Sequence, residues 1–370
     1  MPSVFFYISG HGFGHTVRQI AIINALGARR SDLEIVVRTA APRRLFDQSV
    51  RVPITFLEGP NDTGVVQIDS VRLDEHATIA LAAEFYATLP ERATNEAAIL
   101  HAHDARLVIS DAPPLACAAA TAAGIPSVVV SNFTWDWIYE GYEKELDAAP
   151  GLLDGIRRVY AQASEGWRLP LHGGFATVPH VLDMPFVARH ARDRSATDVK
   201  RELSLPLNRP LALVSFGGYG VSGLQVDEMD CLDEVDLVMT APASEIGSIV
   251  GPVHRVVEED MYSRGLRYVD LVAAVDVVVT KPGYGIIADC VANRTAMLYT
   301  SRGRFVEYDV MVAEMPRFLR CEYIDLDSFL AGRWRHALRR LLTQPPPPEN
   351  PRTDGAEVVA NLIVERVATQ

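Results

Sequence analysis

Short, uninterrupted apolar runs alternate with segments of helical period along the whole chain, and no other feature restricts its fold as strongly. The first half contains VFFYIS at 4–9, EIVVRT at 34–39, RLVISD at 106–111 and SVVVSN at 127–132. Strands that are apolar at every position, rather than at alternate positions, are typical of sheets buried on both faces. With helices between them, these strands predict an α/β protein built on parallel sheets.

The same pattern begins again after residue 200, which predicts a second domain of the same class. A polar, basic segment without strand character separates the two sets. Four consecutive prolines follow the second set, and there the backbone must be extended. We therefore expect two Rossmann-like domains facing each other across a cleft, and a C-terminal helix that packs back on the first domain. The predicted ranges of these three parts are 1–185, 197–345 and 353–370.

The net negative charge of the chain restricts the partners that it can bind. Lys and Arg number 35, Asp and Glu number 47, and the formal charge is −12. Nucleic acid and anionic membranes would repel such a chain, so we expect neither as a partner. The four cysteines have no metal-like spacing, the N-terminus has no basic leader, and no uncharged apolar run reaches about 18 residues. We expect a cytoplasmic protein without bound metal or transmembrane segment, and its oligomeric state stays open.

The glycine-rich segment SGHGFGHTVRQ at 9–19 joins the first predicted strand to the first helix. Glycines let a backbone turn tightly and approach a ligand closely. His15 falls at the start of the helix, where outward-pointing amides carry partial positive charge and favour a neutral imidazole. We therefore interpret His15 as a candidate general base; a tight turn with an incidental histidine is the alternative. The rest of the loop is a candidate acceptor-binding surface: His11, Gly12, Phe13 and Gly14.

A carboxylate and an aromatic loop follow two other strands of the first half. Asp111 ends its strand at the sheet edge where His15 is expected, because ligands of open parallel sheets lie beyond the carboxyl ends of the strands. An Asp beside a His fixes its tautomer and stabilises its charged form, as in a catalytic dyad. A simple helix cap is the alternative. The next loop offers rings that suit sugar faces or form a local hydrophobic cluster; its candidate acceptor-binding residues are Asn132, Phe133, Trp135 and Asp136.

A glycine loop at the start of the second half suits a phosphate. SFGGYGVSG at 215–223 contains the pattern G-x-G-x-x-G. The next strand is followed by TAPAS, without the acidic residue that a nicotinamide dinucleotide site requires. We therefore interpret the loop as a phosphate-binding or close-approach loop, and its candidate donor-binding residues are Gly217, Gly218 and Gly220.

Two further loops of the second half contain candidate donor-binding residues. VTKPGYGIIADCVA at 279–292 predicts a turn and a helix whose exposed amides could hold a diphosphate, although a plain strand–turn–helix is the alternative. Asp289 in this helix could accept hydrogen bonds from both hydroxyls of a ribose. In SRGRFVEYD at 301–309, Arg302 suits phosphate and Glu307 suits sugar hydroxyls, unless the loop is simply solvated. The turn itself adds Pro282, Gly283, Tyr284 and Gly285.

The motifs G-H-G-x-G-H, S-D-x-x-P, S-N-F-x-W-D, S-F-G-G-x-G and K-x-G-Y-G occur in this order along nearly the whole chain. In this the chain resembles the glycosyltransferase-like N-terminal part of plant L-arabinokinases and their bacterial relatives. More distantly, it is similar to the peptidoglycan N-acetylglucosaminyltransferase and the UDP-glycosyltransferases. The resemblance implies the two-domain GT-B fold, and it does not imply a kinase here, because we see no galactokinase-like module.

The resemblance also implies roles for four residues. His15 holds the place of the usual catalytic base and Asp111 the place of its carboxylate partner. Asp289 matches the acidic ribose ligand, one methylene shorter than the usual glutamate. Glu307 is the nearest match to the residue that contacts the donor sugar. The identity of the nucleotide is less secure because of the shorter Asp289.

From these patterns we expect a metal-independent, inverting glycosyltransferase. It would move a hexosyl or N-acetylhexosaminyl group from a nucleotide-diphosphate sugar to a hydroxyl acceptor, with a UDP-sugar as the preferred donor. The sugar nucleotide would be a co-substrate, and no cofactor is expected. Two alternatives stay open: a sugar-nucleotide epimerase or hydrolase on the same fold, and a non-catalytic module that binds a nucleotide sugar or a partner.

Overall fold

The structure is a computed structural model of the 370-residue chain, and it describes residues 1–69, 72–191, 194–216, 224, 229–241 and 251–368. The predicted phosphate loop lies outside the described residues, and with it the candidates Gly217, Gly218 and Gly220.

The first sheet has seven parallel strands in the order β3-β2-β1-β6-β7-β8-β9. Strands β1 and β6 are neighbours, although they are far apart in sequence, so the strand order reverses between them. Ligands bind at such switch points in open α/β sheets. The strands of this half, including a separate antiparallel pair β4–β5, are β1 (Ser3–Ile8), β2 (Glu34–Thr39), β3 (Thr55–Glu58), β4 (Val66–Gln67), β5 (Leu73–Asp74), β6 (Ala105–Asp111), β7 (Ser127–Ser131), β8 (Glu165–Arg168) and β9 (Val181–Asp183).

The second sheet has six parallel strands in the order β12-β11-β10-β13-β14-β15. Its strand order reverses between β10 and β13, the two strands that precede the predicted donor loops. Two parallel α/β sheets are therefore present, as the apolar runs predict. The strands are β10 (Leu211–Ser215), β11 (Asp236–Ala241), β12 (Val253–Val257), β13 (Val277–Thr280), β14 (Ala296–Tyr299) and β15 (Cys321–Tyr323).

Helices connect the strands and cover both sheets. The helices of the first half are α1 (Phe13–Gly27), α2 (Arg43–Ser49), α3 (Glu75–Ala87), α4 (Leu89–Ala102), α5 (Pro114–Ala123), α6 (Trp135–Glu140), α7 (Glu143–Leu146) and α8 (Leu152–Tyr160). Those of the second half are α9 (Ala196–Glu202), α10 (Glu258–Ser263), α11 (Tyr268–Ala274), α12 (Tyr284–Asn293), α13 (Glu307–Glu314), α14 (Leu326–Leu330), α15 (Arg335–Thr343) and α16 (Gly355–Ala368), with a 3₁₀ turn at Met315–Arg317.

Burial explains why the strands read as continuous apolar runs. Every residue of β1 is buried, because helices cover the first sheet on both faces. The C-terminal helix α16 belongs to the core of this first sheet, where Val359 and Ile363 pack in one cluster with Ile22 and Leu26 of α1. The chain thus crosses to the second sheet and returns to the first with its last helix.

Candidate active site between the two sheets

A glycine-supported turn places His15 at the carboxyl edge of the first sheet. Strand β1 ends at Ile8, and helix α1 begins at Phe13. Gly12, at the helix N-cap, has φ of 73°, in the left-handed region that side chains rarely adopt. No side chain caps the first turn of α1. The first amides of α1 therefore point towards the cleft beside His15, which is 7% exposed.

The structure brings His15 and Asp111 together, as their places in the sequence predict. The last residues of β1 and β6, Ile8 and Asp111, are paired in the sheet, so the loop after β1 passes directly over the carboxylate. His15 Nδ1 lies 2.9 Å from Asp111 Oδ1, and Asp111 is fully buried. Arg18 Nη2 also lies 2.8 Å from His15 Nδ1, so this nitrogen has a carboxylate and a guanidinium as neighbours. In the tautomer in which Nδ1–H donates to Asp111, Nε2 carries a lone pair and has no hydrogen-bond partner among the residues that the structure describes.

Arg18 is a third member of this group, and our sequence analysis missed it. Its Nε donates to Asp111 Oδ2 at 2.8 Å, and Gln19 Nε2 donates to the same oxygen at 3.1 Å. Burial alone would raise the pKa of Asp111, but the charges and hydrogen bonds of Arg18 and His15 outweigh it and lower that pKa to about 2. Asp111 is therefore ionised and oriented at any physiological pH. The three-residue spacing of His15 and Arg18 on one helix was the available signal.

The second sheet meets this group through the turn at the start of α12. A Cβ atom added at Gly285 would lie 3.6 Å from Cα of Gly14, so the N-termini of α1 and α12 face each other across the domain boundary. The rings of Tyr284 and Phe133 also meet there, with centroids 6.0 Å apart. Two helix N-termini, each with partial positive charge, therefore converge beside His15. Such a point attracts an anion.

The space between the two domains at this point is small. A cavity of about 10 Å³, lined by residues that include Arg18, Asn132, Tyr284 and Gly285, has room for about one water molecule. Pockets for small-molecule ligands measure about 300–1,000 Å³. This cavity is therefore too small to hold a nucleotide sugar by itself.

The loop at 301–309 lies over the same boundary. Arg302 Nη1 donates to Glu307 Oε1 at 2.9 Å; Glu307 is buried and Arg302 is half-buried. The guanidinium of Arg302 also lies 4.0 Å from the ring centroid of Phe305. The two predicted donor ligands therefore contact each other. Arg304 forms an ion pair of 3.3 Å with Glu75 of the first domain.

Asp289 is placed differently from the predicted ribose ligand. Its Oδ1 accepts from the backbone amide of Arg189 at 3.0 Å, and its Oδ2 accepts from Arg189 Nε at 3.0 Å. Asn293, one turn later in α12, donates to the carbonyl of Arg189 at 2.9 Å and accepts from the amide of Ala191 at 3.1 Å. Asp289 is 2% exposed. It thus fastens the segment between the two domains to α12, and its oxygens are not open to a ribose.

Replacing Asp289 with alanine should destabilise the protein even without a nucleotide. We expect the free energy of unfolding to fall by about 2–3 kcal/mol, because hydrogen bonds to a charged group are lost and Arg189 keeps no partner there. Urea denaturation measures this, with the exposed Asp309→Ala on α13 as the matched control. Unchanged stability combined with weakened nucleotide binding would instead restore the ribose role.

The aromatic loop after β7 is buried rather than open to the cleft. Trp135 is 1% exposed and stacks on Tyr139 within a core cluster that includes Phe133. Asn132 accepts a hydrogen bond from Arg18 and donates to the carbonyl of Pro170 at 2.6 Å. Asp136 is also buried, 3.5 Å from Arg157. These residues therefore offer no exposed ring that could stack on a sugar. They are buried beside the site, and Asn132 contacts Arg18. Phe13, 38% exposed, lies open.

A second carboxylate, which our sequence analysis also missed, lies in the loop after β3. Asp62 Oδ1 accepts from Ser9 Oγ at 3.1 Å, and its Oδ2 accepts from Trp135 Nε1 at 2.8 Å. Burial raises the pKa of Asp62 to about 6, although the hydrogen bonds and the nearby His15 oppose this. Asp62 thus ties the glycine loop to the aromatic loop. It carries no motif, which is why the sequence did not reveal it.

Replacing Asp62 with asparagine should stabilise the protein increasingly as pH rises. The folded-state pKa of about 6 lies above the ordinary 3.8. Ionisation is therefore disfavoured in the folded state, and wild-type stability falls between about pH 4 and 6 and stays lower above that. We expect the variant to gain about 1–2 kcal/mol relative to wild type across this window, less than the full shift because the side chain is partly exposed. Urea denaturation at several pH values measures the difference, with exposed Asp47→Asn as the control; a pH-independent difference would contradict it.

Burial lowers the pKa of His11 to about 3, helped by His15, Arg302 and Lys281, so His11 is neutral at physiological pH. His11 Nε2 lies 3.2 Å from Gln67 Nε2. Within the described ranges, no group of three or more His, Cys, Asp or Glu side chains could hold a metal ion. No helix in that part of the chain is long and apolar enough to cross a membrane.

Comparison with known proteins agrees with this architecture. Two solved structures resemble the chain over almost its whole length. They are Phytolacca americana UGT2 complexed with UDP-2-fluoro-glucose and pterostilbene (TM-score 0.59, 12% identity, 100% of this chain and 94% of the other) and the glycosyltransferase VinC in complex with dTDP (TM-score 0.57, 16% identity, 99% and 95%). The chain therefore has the two-domain GT-B fold of glycosyltransferases, as the motifs imply.

The chain is also similar in sequence to a curated plant protein. L-arabinokinase of Arabidopsis thaliana is 30% identical over 366 residues, which cover 97% of this chain and 34% of the plant protein. The chain thus spans about a third of the length of that relative, and the resemblance stated from the motifs is confirmed. No protein-family model matches the chain.

Proposed function

We propose that this protein is a glycosyltransferase. It transfers a sugar from a nucleoside-diphosphate sugar, with a UDP-sugar as preferred donor, to a hydroxyl group of an acceptor. It works without a metal ion or cofactor and inverts the configuration of the anomeric carbon. The observation that carries the proposal is the buried His15–Asp111 pair, which faces the uncapped N-terminus of α12 across the domain boundary.

His15 would act as the general base. With Nδ1–H donated to Asp111, its Nε2 can accept the proton of the acceptor hydroxyl as the oxygen attacks the anomeric carbon. Asp111 holds the ring in this tautomer and stabilises the imidazolium that forms. Arg18 and Gln19 keep the carboxylate in place.

The second domain would hold the donor. The first amides of α12 have no side-chain cap and can donate hydrogen bonds to the diphosphate as negative charge develops on it. Arg302 lies in the loop after β14 and Glu307 is the first residue of α13, where they could contact phosphate and sugar hydroxyls of the donor. Strand β10, which precedes the candidate residues 217–220 in the sequence, is the neighbour of β13 in the sheet. Attack from the first domain and departure on the second place the two groups on opposite faces, which favours inversion.

The comparisons support a nucleoside-diphosphate donor in general terms. The two solved relatives contain UDP-2-fluoro-glucose and dTDP respectively. Both uridine and thymidine nucleotides are therefore sensible first candidates here. The kinase activity in the name of the plant relative belongs to a protein about three times as long.

A thermal-shift panel tests the donor half of the proposal. UDP, GDP, dTDP, ADP and CMP are added to the full chain, then the matching sugar nucleotides, each with and without EDTA. A ligand at about 100 times its dissociation constant adds about 2.7 kcal/mol of stability, which is readily seen. We expect one diphosphate to give a selective shift that EDTA does not change. A shift that EDTA abolishes would contradict metal independence, and no shift with any nucleotide would contradict the donor site.

A further inference from the structure

Lys281 is a cation at the domain boundary that the proposed mechanism does not yet use. It directly follows β13 and precedes by two residues Gly283, the N-cap of α12. The side chain is half-buried. Within the described ranges, its ammonium has no hydrogen bond and no ion pair. A lysine so placed gives up part of its hydration without a compensating contact, which is costly.

The acidic groups near Lys281 are engaged elsewhere. Glu307 accepts from Arg302, and Asp69 accepts from Arg72 Nε at 2.8 Å. Burial and the charge of Arg302 lower the pKa of Lys281 to about 7, and the more distant Asp69 and Glu307 offset this only in part. The carboxylates nearest to Lys281 therefore already have arginine partners, and neither forms an ion pair with the lysine within the described ranges.

Two other polar atoms near the same place lack a partner. Arg302 Nε and the Tyr284 hydroxyl are buried without a hydrogen-bond acceptor among the described residues. Buried donors of this kind are rare in native proteins, and an absent ligand is one explanation. Lys281 follows β13, Tyr284 begins α12, and Arg302 follows β14, the strand paired with β13, so the three residues lie at the same edge of the second sheet. The ammonium and the guanidinium can only donate, and the Tyr284 hydroxyl can donate as well, which suits a ligand made of acceptors.

We propose that Lys281 binds the diphosphate of the donor nucleotide, with Nζ donating to phosphate oxygens and Arg302 Nε donating beside it. The inference rests on the proposed function, because it names the side chain that recognises the charged part of the donor. The ligand class is a nucleoside diphosphate or its sugar ester. A diphosphate supplies several charged acceptor oxygens, to which an ammonium and a guanidinium donate strong hydrogen bonds.

The assignment has a consequence for pH. Bound phosphate favours the ammonium form, so the affinity attributable to Lys281 is complete below about pH 7 and declines as pH rises above it. His11, with a pKa of about 3, stays neutral throughout this window, and burial keeps the pKa of Tyr284 well above it. Arg302, Glu307 and Asp69 are the other charged groups that face Lys281. Protonation of the ligand affects both variants equally, so it does not change the ratio of their affinities at a given pH.

Calorimetric titration of the full chain with UDP, inorganic pyrophosphate and uridine tests the inference. We expect Lys281→Gln to weaken UDP and pyrophosphate binding by roughly 10-fold to 100-fold and to leave uridine binding unchanged. Lys281→Arg should retain most of the affinity. The ratio of wild-type to Lys281→Gln affinity should shrink as pH rises from 6 to 9. Arg304→Gln, a change of an exposed arginine in the same loop region, is the matched control and should change none of these values.

Several results would overturn the inference. Equal loss of UDP and uridine affinity in Lys281→Gln would mean a structural role, and unchanged UDP affinity would mean that the lysine does not contact phosphate. No binding of UDP or pyrophosphate to the wild-type chain would contradict both the inference and the donor site. Lysine-dependent UDP binding without transfer to any acceptor would leave this inference standing and reject the proposed function. Transfer that does not depend on Lys281 would support the proposed function and reject this inference.

Discussion

Replacing His15 with alanine should lower the turnover number by about 100-fold to 10,000-fold, the usual contribution of a positioned general base. The physical reason is that the acceptor hydroxyl would then lose its proton only to water. UDP affinity should stay the same, because His15 lies on the first domain and the proposed diphosphate ligands lie on the second. Initial-rate kinetics at saturating donor and acceptor measure the change.

The control for this variant is His76→Ala, since His76 is an exposed histidine of the same domain. It should keep full turnover. Near-complete activity of His15→Ala with intact donor binding would show that His15 is not the base. Asp62, the other carboxylate beside the glycine loop, would then become the residue to test.

Replacing Arg18 with methionine should produce the largest loss of stability. The change leaves the buried Asp111 carboxylate without its main cationic partner, and breaking a buried ion pair in this way typically costs about 3–5 kcal/mol. Methionine keeps a similar length, so the loss reflects charge and hydrogen bonds rather than a cavity. Urea denaturation of the full chain at pH 7 measures it.

The acid side of the stability curve gives a second readout for the same variant. The pKa of Asp111 is about 2 in the folded protein, below its ordinary 3.8. The pair therefore stabilises the fold above about pH 4, and this stability is lost as pH falls through about 2. Arg18→Met should show a smaller loss of stability on acidification than wild type. Exposed Arg304→Met should cost less than about 1 kcal/mol; an equal cost in the two variants would contradict the account.

The meeting of His15 and Asp111 could be predicted because it depends on sheet geometry alone. Both residues follow apolar runs that are buried on both faces, and parallel strands bring their carboxyl ends to one edge. The pairing of Ile8 with Asp111 then sets the distance. The turn before α12 could be placed for the same reason, since Pro282 and Gly283 come two and three residues after the end of β13.

Contacts that depend on long-range packing could not be predicted in this way. The Arg189–Asp289 contact joins residues 100 positions apart, across a segment without regular structure. The motif comparison therefore assigned Asp289 to a ribose, whereas the structure uses its carboxylate to hold the linker. The burial of Trp135 likewise depends on Asp62 and Tyr139, which no local pattern connects to it. Local patterns placed His15 and Asp111 at one edge of the sheet, and tertiary packing decided which polar groups around them stay open.

Release of a nucleoside diphosphate by the wild-type chain tests the central claim most directly. The sugar nucleotide selected by thermal shift is incubated in EDTA with a pool of hydroxylated acceptors, and the liberated diphosphate is measured with and without the pool. The account predicts release that requires an acceptor and proceeds in EDTA. Release without any acceptor would indicate a hydrolase, and no release from a donor that binds would contradict catalysis by this site.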